Sequence, residues 1–346
     1  MKVSLFACLL GVGWGTWPSS SAAQLLNYEL RTNGATVLAA FEGLEEVVAG
    51  STIEIHQGRR DLQTLATVIR PDLALCKASE LPPPSERELH ARTSARDRGQ
   101  VEVLAEDEQT DLALLRINLP EVVPVRWAES AQDLGQGTWV ISSMSKAGKI
   151  RAGILSAKTR PIEREGGVLG VTLSAAEEGE VGLVVKEMTE GGPAAQAGLK
   201  IEDLILELNG EAVGDLEAFV EAIKAANPGS EVDLLVQSGQ EEKRFSVTLA
   251  YRGQLFDRFD RNQQMSGFSS LRRAGFEMVL QHDTTLAPES MGGPLFDLAG
   301  RCLGINIARA DRVTTFALPV EVVKRALARL QGDESVKKAA SQPHGG

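Results

Sequence analysis

A mainly β chain, with a smaller α+β unit set into it, is the architecture that the sequence predicts. Three observations predict it. Short runs alternate apolar and polar residues, as in Thr52-Ile53-Glu54-Ile55-His56 and Val101-Glu102-Val103-Leu104. Turn-rich pieces such as Leu81-Pro82-Pro83-Pro84-Ser85 separate the runs, and proline cannot extend a sheet ladder. Several short strands so punctuated indicate a barrel or a sandwich. Between residues 167 and 249 the texture changes to strands mixed with one amphipathic helical pattern.

The elements follow in chain order. Residues 1–23 read as a signal peptide: Lys2 is the basic start, an apolar run follows from Leu5 to Trp14, and Ser21-Ala22-Ala23 offers small residues for cleavage before Gln24. The chain is therefore expected to be exported, to the periplasm, the cell envelope or the exterior. The apolar run falls short of the ~20 residues that a membrane span needs, and no later run is long enough. Residues 30–120 form a first β unit, read as short strands from Ala35 onward, and 121–162 begin a second. In the α+β unit, 163–250, Asp203-Leu204-Ile205-Leu206-Glu207-Leu208 is a strand ending in the turn Asn209-Gly210. Asp215 then caps a helix whose Leu216, Phe219, Val220 and Ile223 share a face. The polar stretch 251–274 reads as a linker. Residues 275–331 are again strand and turn, with a closing amphipathic helix that presents Val322, Val323, Ala326, Leu327 and Leu330, and 332–346 read as a disordered tail.

Composition narrows the function. Lys and Arg total 36 against 47 Asp and Glu, a net charge of −11, so no basic stripe marks a nucleic-acid surface. The four histidines and the two cysteines left after signal removal, Cys76 and Cys302, form no metal-ligand spacing, and no cofactor is called for. Sequence alone leaves open whether Cys76 and Cys302 are joined.

The run Gly191-Gly192-Pro193-Ala194-Ala195-Gln196-Ala197-Gly198-Leu199, followed by Asp203-Leu204-Ile205 and Asn209-Gly210, resembles a PDZ domain. The resemblance implies that Val168-Leu169-Gly170-Val171 is a loop whose amides receive a peptide's terminal carboxylate. The peptide would add as a strand beside Val171, Thr172 and Leu173, over an apolar lining that includes Phe219 and Ile223. Glu177, Glu178 and Glu180 would then give the groove a preference for basic residues upstream.

The flanking segments resemble the two lobes of an HtrA-type, trypsin-like serine protease. The resemblance rests on Thr110-Asp111-Leu112-Ala113-Leu114-Leu115, on Gly292-Gly293-Pro294-Leu295 with Gly304-Ile305-Asn306, and on Phe316-Ala317-Leu318-Pro319. It implies a double β-barrel with the PDZ domain inserted in the second barrel instead of following it. It also places Asp111 as the triad acid. Ser79 stands at the base position in Leu75-Cys76-Lys77-Ala78-Ser79, and Met291 at the nucleophile position in Glu289-Ser290-Met291-Gly292-Gly293-Pro294. A thioether has no proton to lose, and a carboxylate at Glu289 would repel a developing oxyanion. The expectation is an inactive, peptide-binding adaptor or quality-control scaffold, taking C-terminal or unfolded polypeptide segments and pairing with an active relative or itself. The alternative is an active endopeptidase that uses Ser290, with Lys77 or His282 as base.

Overall fold

The computed structural model describes residues 27, 29, 34–58, 60–144, 149–176, 181–256 and 267–332. The segments read above as a signal peptide and tail lie outside the described residues, Gly332 aside, as do Glu177, Glu178 and Glu180.

From residue 34 onward the described chain forms two helices, α1 (Ala35–Ala39) and α2 (Glu42–Ser51), where the sequence reading expects strands. In α2, Leu44, Val47 and Val48 recur at the three-and-four spacing of one helix face. Val48 joins the main core, and Leu44 packs against it. Six strands then close a barrel: β1 (Thr52–Gln57), β2 (Asp61–Arg70), β3 (Leu73–Lys77), β4 (Leu89–Arg92), β5 (Arg98–Asp107) and β6 (Leu112–Ile117), in the order β1-β2-β3-β6-β5-β4. Its interior is filled by Ile53, Ile55, Ala66, Val68, Cys76, Ala113 and Leu115.

The second barrel starts with β7 (Trp139–Ser143) and the long β8 (Ile150–Ile162). There the α+β unit intervenes. Its strands are β9 (Val171–Ala175), β10 (Leu183–Met188), β11 (Leu204–Leu208), β12 (Glu211–Ala212), β13 (Glu231–Ser238) and β14 (Glu241–Thr248), and its helices are α3 (Pro193–Ala197) and α4 (Leu216–Ala225). The sheet runs β14-β13-β11-β10-β9, with β12 paired to β11. The Asn209-Gly210 turn has positive φ at both residues, 52° and 85°, the geometry that suits a tight hairpin. Asp215 accepts from the amides of Glu217 and Ala218, which caps α4 as expected.

After a short helix α5 (Arg252–Phe256), the second barrel resumes with β15 (Phe276–His282), β16 (Pro294–Phe296), β17 (Cys302–Asp311) and β18 (Thr314–Pro319), and helix α6 (Val320–Gly332) ends the described chain. The closed order is β15-β18-β17-β16-β7-β8. Phe276 pairs with Ile162 across β15 and β8, so the chain leaves and re-enters the barrel at adjacent points. Val168 and Ala250 exchange two 3.0 Å backbone hydrogen bonds at the neck. An insertion with adjacent ends leaves the host ladder intact. The protein is thus a mainly β double barrel with an α+β domain set into the second barrel.

Described parts of the polar stretch 251–274 are packed. Leu255 is buried, and the Arg272 guanidinium donates to the carbonyls of Glu108 and Gln109 and lies 5.3 Å from the Phe276 ring. Cys76 and Cys302 are both free and buried. Burial pushes the Cys76 thiol far above its usual range and the Cys302 thiol up to about 12.

Candidate functional site

Two sites arise from this frame, one in the inserted domain and one between the barrels. In the inserted domain, β9 is the last strand of its sheet, so one of its edges has no strand partner among the described residues. Leu169 and Gly170 precede it. Their carbonyls are engaged by the following turn: Thr189 N donates to Gly170 O at 2.8 Å, and Ala194 N to Leu169 O at 3.1 Å. Gly170 has φ +77°, a conformation that a side chain would strain. Leu169, Phe219 and Ile223 are buried in the domain core, with Val171 and Leu173 half-buried against it, while Thr172 is exposed. Helix α4 packs over β9, so the sequence-predicted groove residues do share one locality.

Between the barrels, the turn at 288–293 leaves the second barrel and docks on the first. Met291 O accepts from Leu65 N at 3.0 Å and from Thr64 Oγ1 at 2.7 Å, and Gly292 O accepts from Thr67 Oγ1 at 2.7 Å. Gly292 has φ +79°, and a Cβ there would lie 2.0 Å from Leu65 O, so this position requires glycine. The docking buries Met291 fully and leaves Ser290 1% exposed. Ser290 N donates to Ala287 O and Met291 N to Pro288 O, at 2.9 and 3.0 Å. An oxyanion is held by donors aimed at the space it will occupy, and these two amides are spent inside their own turn.

Asp111 sits opposite, at the start of β6, with φ +61° and 3% exposure. Its Oδ1 accepts from Ser79 N and its Oδ2 from Ser79 Oγ, both at 2.8 Å. Ser79 therefore satisfies the acid with one backbone and one side-chain donor, and it can do no more: a hydroxyl that donates to a carboxylate is no general base at neutral pH. Lys77, fully buried, donates from Nζ to Glu80 Oε1 and to Arg272 O, each at 3.0 Å, and lies 3.9 Å from Asp111 Oδ2. Burial pushes the Asp111 carboxyl above its ordinary range, against the lowering pull of Lys77, Arg272 and Ser79. The other candidate base, His282, is buried with Nε2 2.9 Å from Asn306 Oδ1. Burial lowers its pKa to about 4, only partly offset by Asn306 and Asp283.

The structure thus brings Ser79 to Asp111, and Lys77 close by. Arg272, in the stretch read as a linker, is the partner that the sequence reading missed; an arginine in a polar run carries no signal of where it will dock. No group of three or more metal-ligating side chains occurs among the described residues, and no described helix is long and apolar enough to cross a membrane.

The PDZ domain family matches residues 167–249. A probable periplasmic serine endoprotease DegP-like of Brucella suis is 29% identical over 111 residues, 32% of this chain and 21% of that protein. The serine endoprotease DegS of Salmonella typhimurium is 38% identical over 69 residues, 20% of this chain and 19% of that protein. The matched part spans about a fifth of the length of these relatives. Among solved structures, an inactive variant of Rv3671c from M. tuberculosis H37Rv aligns over 89% of this chain and 95% of its own, at 15% identity and a TM-score of 0.42. Residues 167–249 thus match the PDZ domain family, and part of the chain is similar to DegP- and DegS-type serine endoproteases.

Proposed function

We propose that this protein binds polypeptide termini or unfolded segments through its PDZ groove and does not cut them, serving in the cell envelope as an adaptor or quality-control scaffold. The observation that carries the reading is the pairing of Ser79 with Asp111: the place where a triad needs a proton acceptor holds a hydroxyl whose proton already points at the acid. Met291 and the inward-turned amides at 290 and 291 support it from the other barrel. The envelope placement draws on the export signal read in residues 1–23 and on relatives named as periplasmic.

The binding half is tested on the mature chain with a fluorescent peptide ending in Val, free or amidated at its C-terminus. Hydrogen bonds to a charged group are worth about 1.5–3 kcal/mol, so amidation should weaken binding about tenfold or more. Equal affinities for the two forms would remove the carboxylate loop from the account.

A further inference from the structure

The strand β17 pairs with β18 on one edge and with β16 on the other, but β16 begins only at Pro294, opposite Ile305. Past that point the β16-side edge of β17 has no strand from the barrel. A register shift between Asn306 and Ala308 re-aims the ladder there. The vacant edge is covered by a segment from elsewhere in the chain. Ser270 N donates to Arg309 O at 2.9 Å, and Arg309 N donates to Ser270 Oγ at 3.0 Å, so both backbone groups of Arg309 are met by one residue. Ser270 is 2% exposed, although its neighbour Phe268 is 75% exposed.

The segment is held at its far end by the site between the barrels. The Arg272 carbonyl takes the Lys77 ammonium, and the Arg272 guanidinium grips the carbonyls of Glu108 and Gln109 on the hairpin before Asp111. On its other side, Phe268 and Leu271 line a cavity of about 570 Å³ together with Pro193, Tyr251 and Leu255. A sheet edge with exposed hydrogen-bonding groups is a template for an added extended strand, and this edge lies beside the 288–293 turn, whose Gly292 N donates to Asn306 O.

We propose that residues 268–271 are a built-in occupant of the β17 edge, an autoinhibitory strap that keeps the barrel pair from accepting a second extended polypeptide until it lifts. The fully buried Lys77 acquires a task in this arrangement: its ammonium pins the Arg272 carbonyl, next to the end of the strap, while remaining paired with Glu80. The proposal stands apart from the PDZ reading, because its probe lacks the terminal carboxylate which that groove requires.

The test uses the full mature chain and its Ser270→Pro variant, which loses both the N–H donor and the hydroxyl acceptor. The probe is a fluorescein-labelled decapeptide of alternating Val and Thr, flanked by Lys and amidated at its C-terminus. Two hydrogen bonds of about 1 kcal/mol each correspond to at least about tenfold faster amide exchange at Arg309 in the variant. The variant should also bind the probe saturably, at least about tenfold more tightly than the parent, since no strap competes. Ser270→Ala, which loses only the hydroxyl, should show the same two changes in smaller measure and serves if Ser270→Pro does not fold. Unchanged exchange at Arg309, or faster exchange without any gain in probe binding, would overturn the strap.

Discussion

At Ser79 a single oxygen decides how Asp111 can act. A buried carboxylate must have donors, and Ser79 supplies two of them while Lys77 adds charge at 3.9 Å. On the function proposed above, the acid is thereby kept for structure. His282 makes a different residue-scale point. It is buried and neutral, with its pKa lowered from 6.5 to about 4 by desolvation. A histidine that ionises less readily when folded contributes stability fully above the unfolded value, near 6.5, and loses it as pH falls to about 4. That loss amounts to about 3 kcal/mol. Urea titrations of the parent and His282→Gln at pH 7, 5.5 and 4 should show a markedly flatter pH dependence in the variant. Parallel curves would mean that His282 is not buried as described.

Helix α4 and strand β9 would make the proposed groove, and they depend on local chemistry that the sequence displays. Asp215 caps α4 with its carboxylate on the amides of Glu217 and Ala218, so Asp215→Ala should cost about 1 kcal/mol of stability. Because α4 would form one wall of the proposed groove, peptide affinity measured by fluorescence anisotropy should fall with it. Lost stability with unchanged affinity would place the ligand away from α4. The cap and the Asn209-Gly210 hairpin were legible because each rests on a local pattern, a capping acid and a turn dipeptide, whereas alternating residues gave only a barrel or a sandwich and the pairing of two barrels came from the resemblance. Helices α1 and α2 were not legible, since residues 35–51 carry few turn signals and a face of only Leu44, Val47 and Val48. The docked course of 267–275 was equally hidden. Arg272 and Ser270 find partners more than thirty residues away, at Gln109 and Arg309, and no window of sequence contains both ends of such a contact.

Across the whole molecule, the barrels are joined by the 288–293 turn and again by α6. The Arg329 guanidinium meets the Asp107 carboxylate with two bonds, 3.1 and 2.6 Å, and Thr110 donates to the same carboxylate. Burial raises the Asp107 pKa, but Arg329 and Thr110 more than offset it and hold the group below its ordinary range. Because the arginine is partly exposed, solvent screens the pair, and a double-mutant cycle with Arg329→Ala and Asp107→Ala should return a coupling of about 1 kcal/mol in urea unfolding. Coupling near zero would detach α6 from the clamp between barrels.

The same two-barrel body without its chemistry, bearing a PDZ groove, is the central claim, and it is met most directly by incubating the mature chain with a molar equivalent of casein and weighing the casein by mass spectrometry. The base position at Ser79 and the nucleophile position at Met291 predict intact casein after prolonged incubation, in Met291→Ser as in the parent, because no group there can deprotonate the new hydroxyl. Casein fragments that appear with the parent and vanish with Ser290→Ala would contradict the account and make Ser290 a working nucleophile.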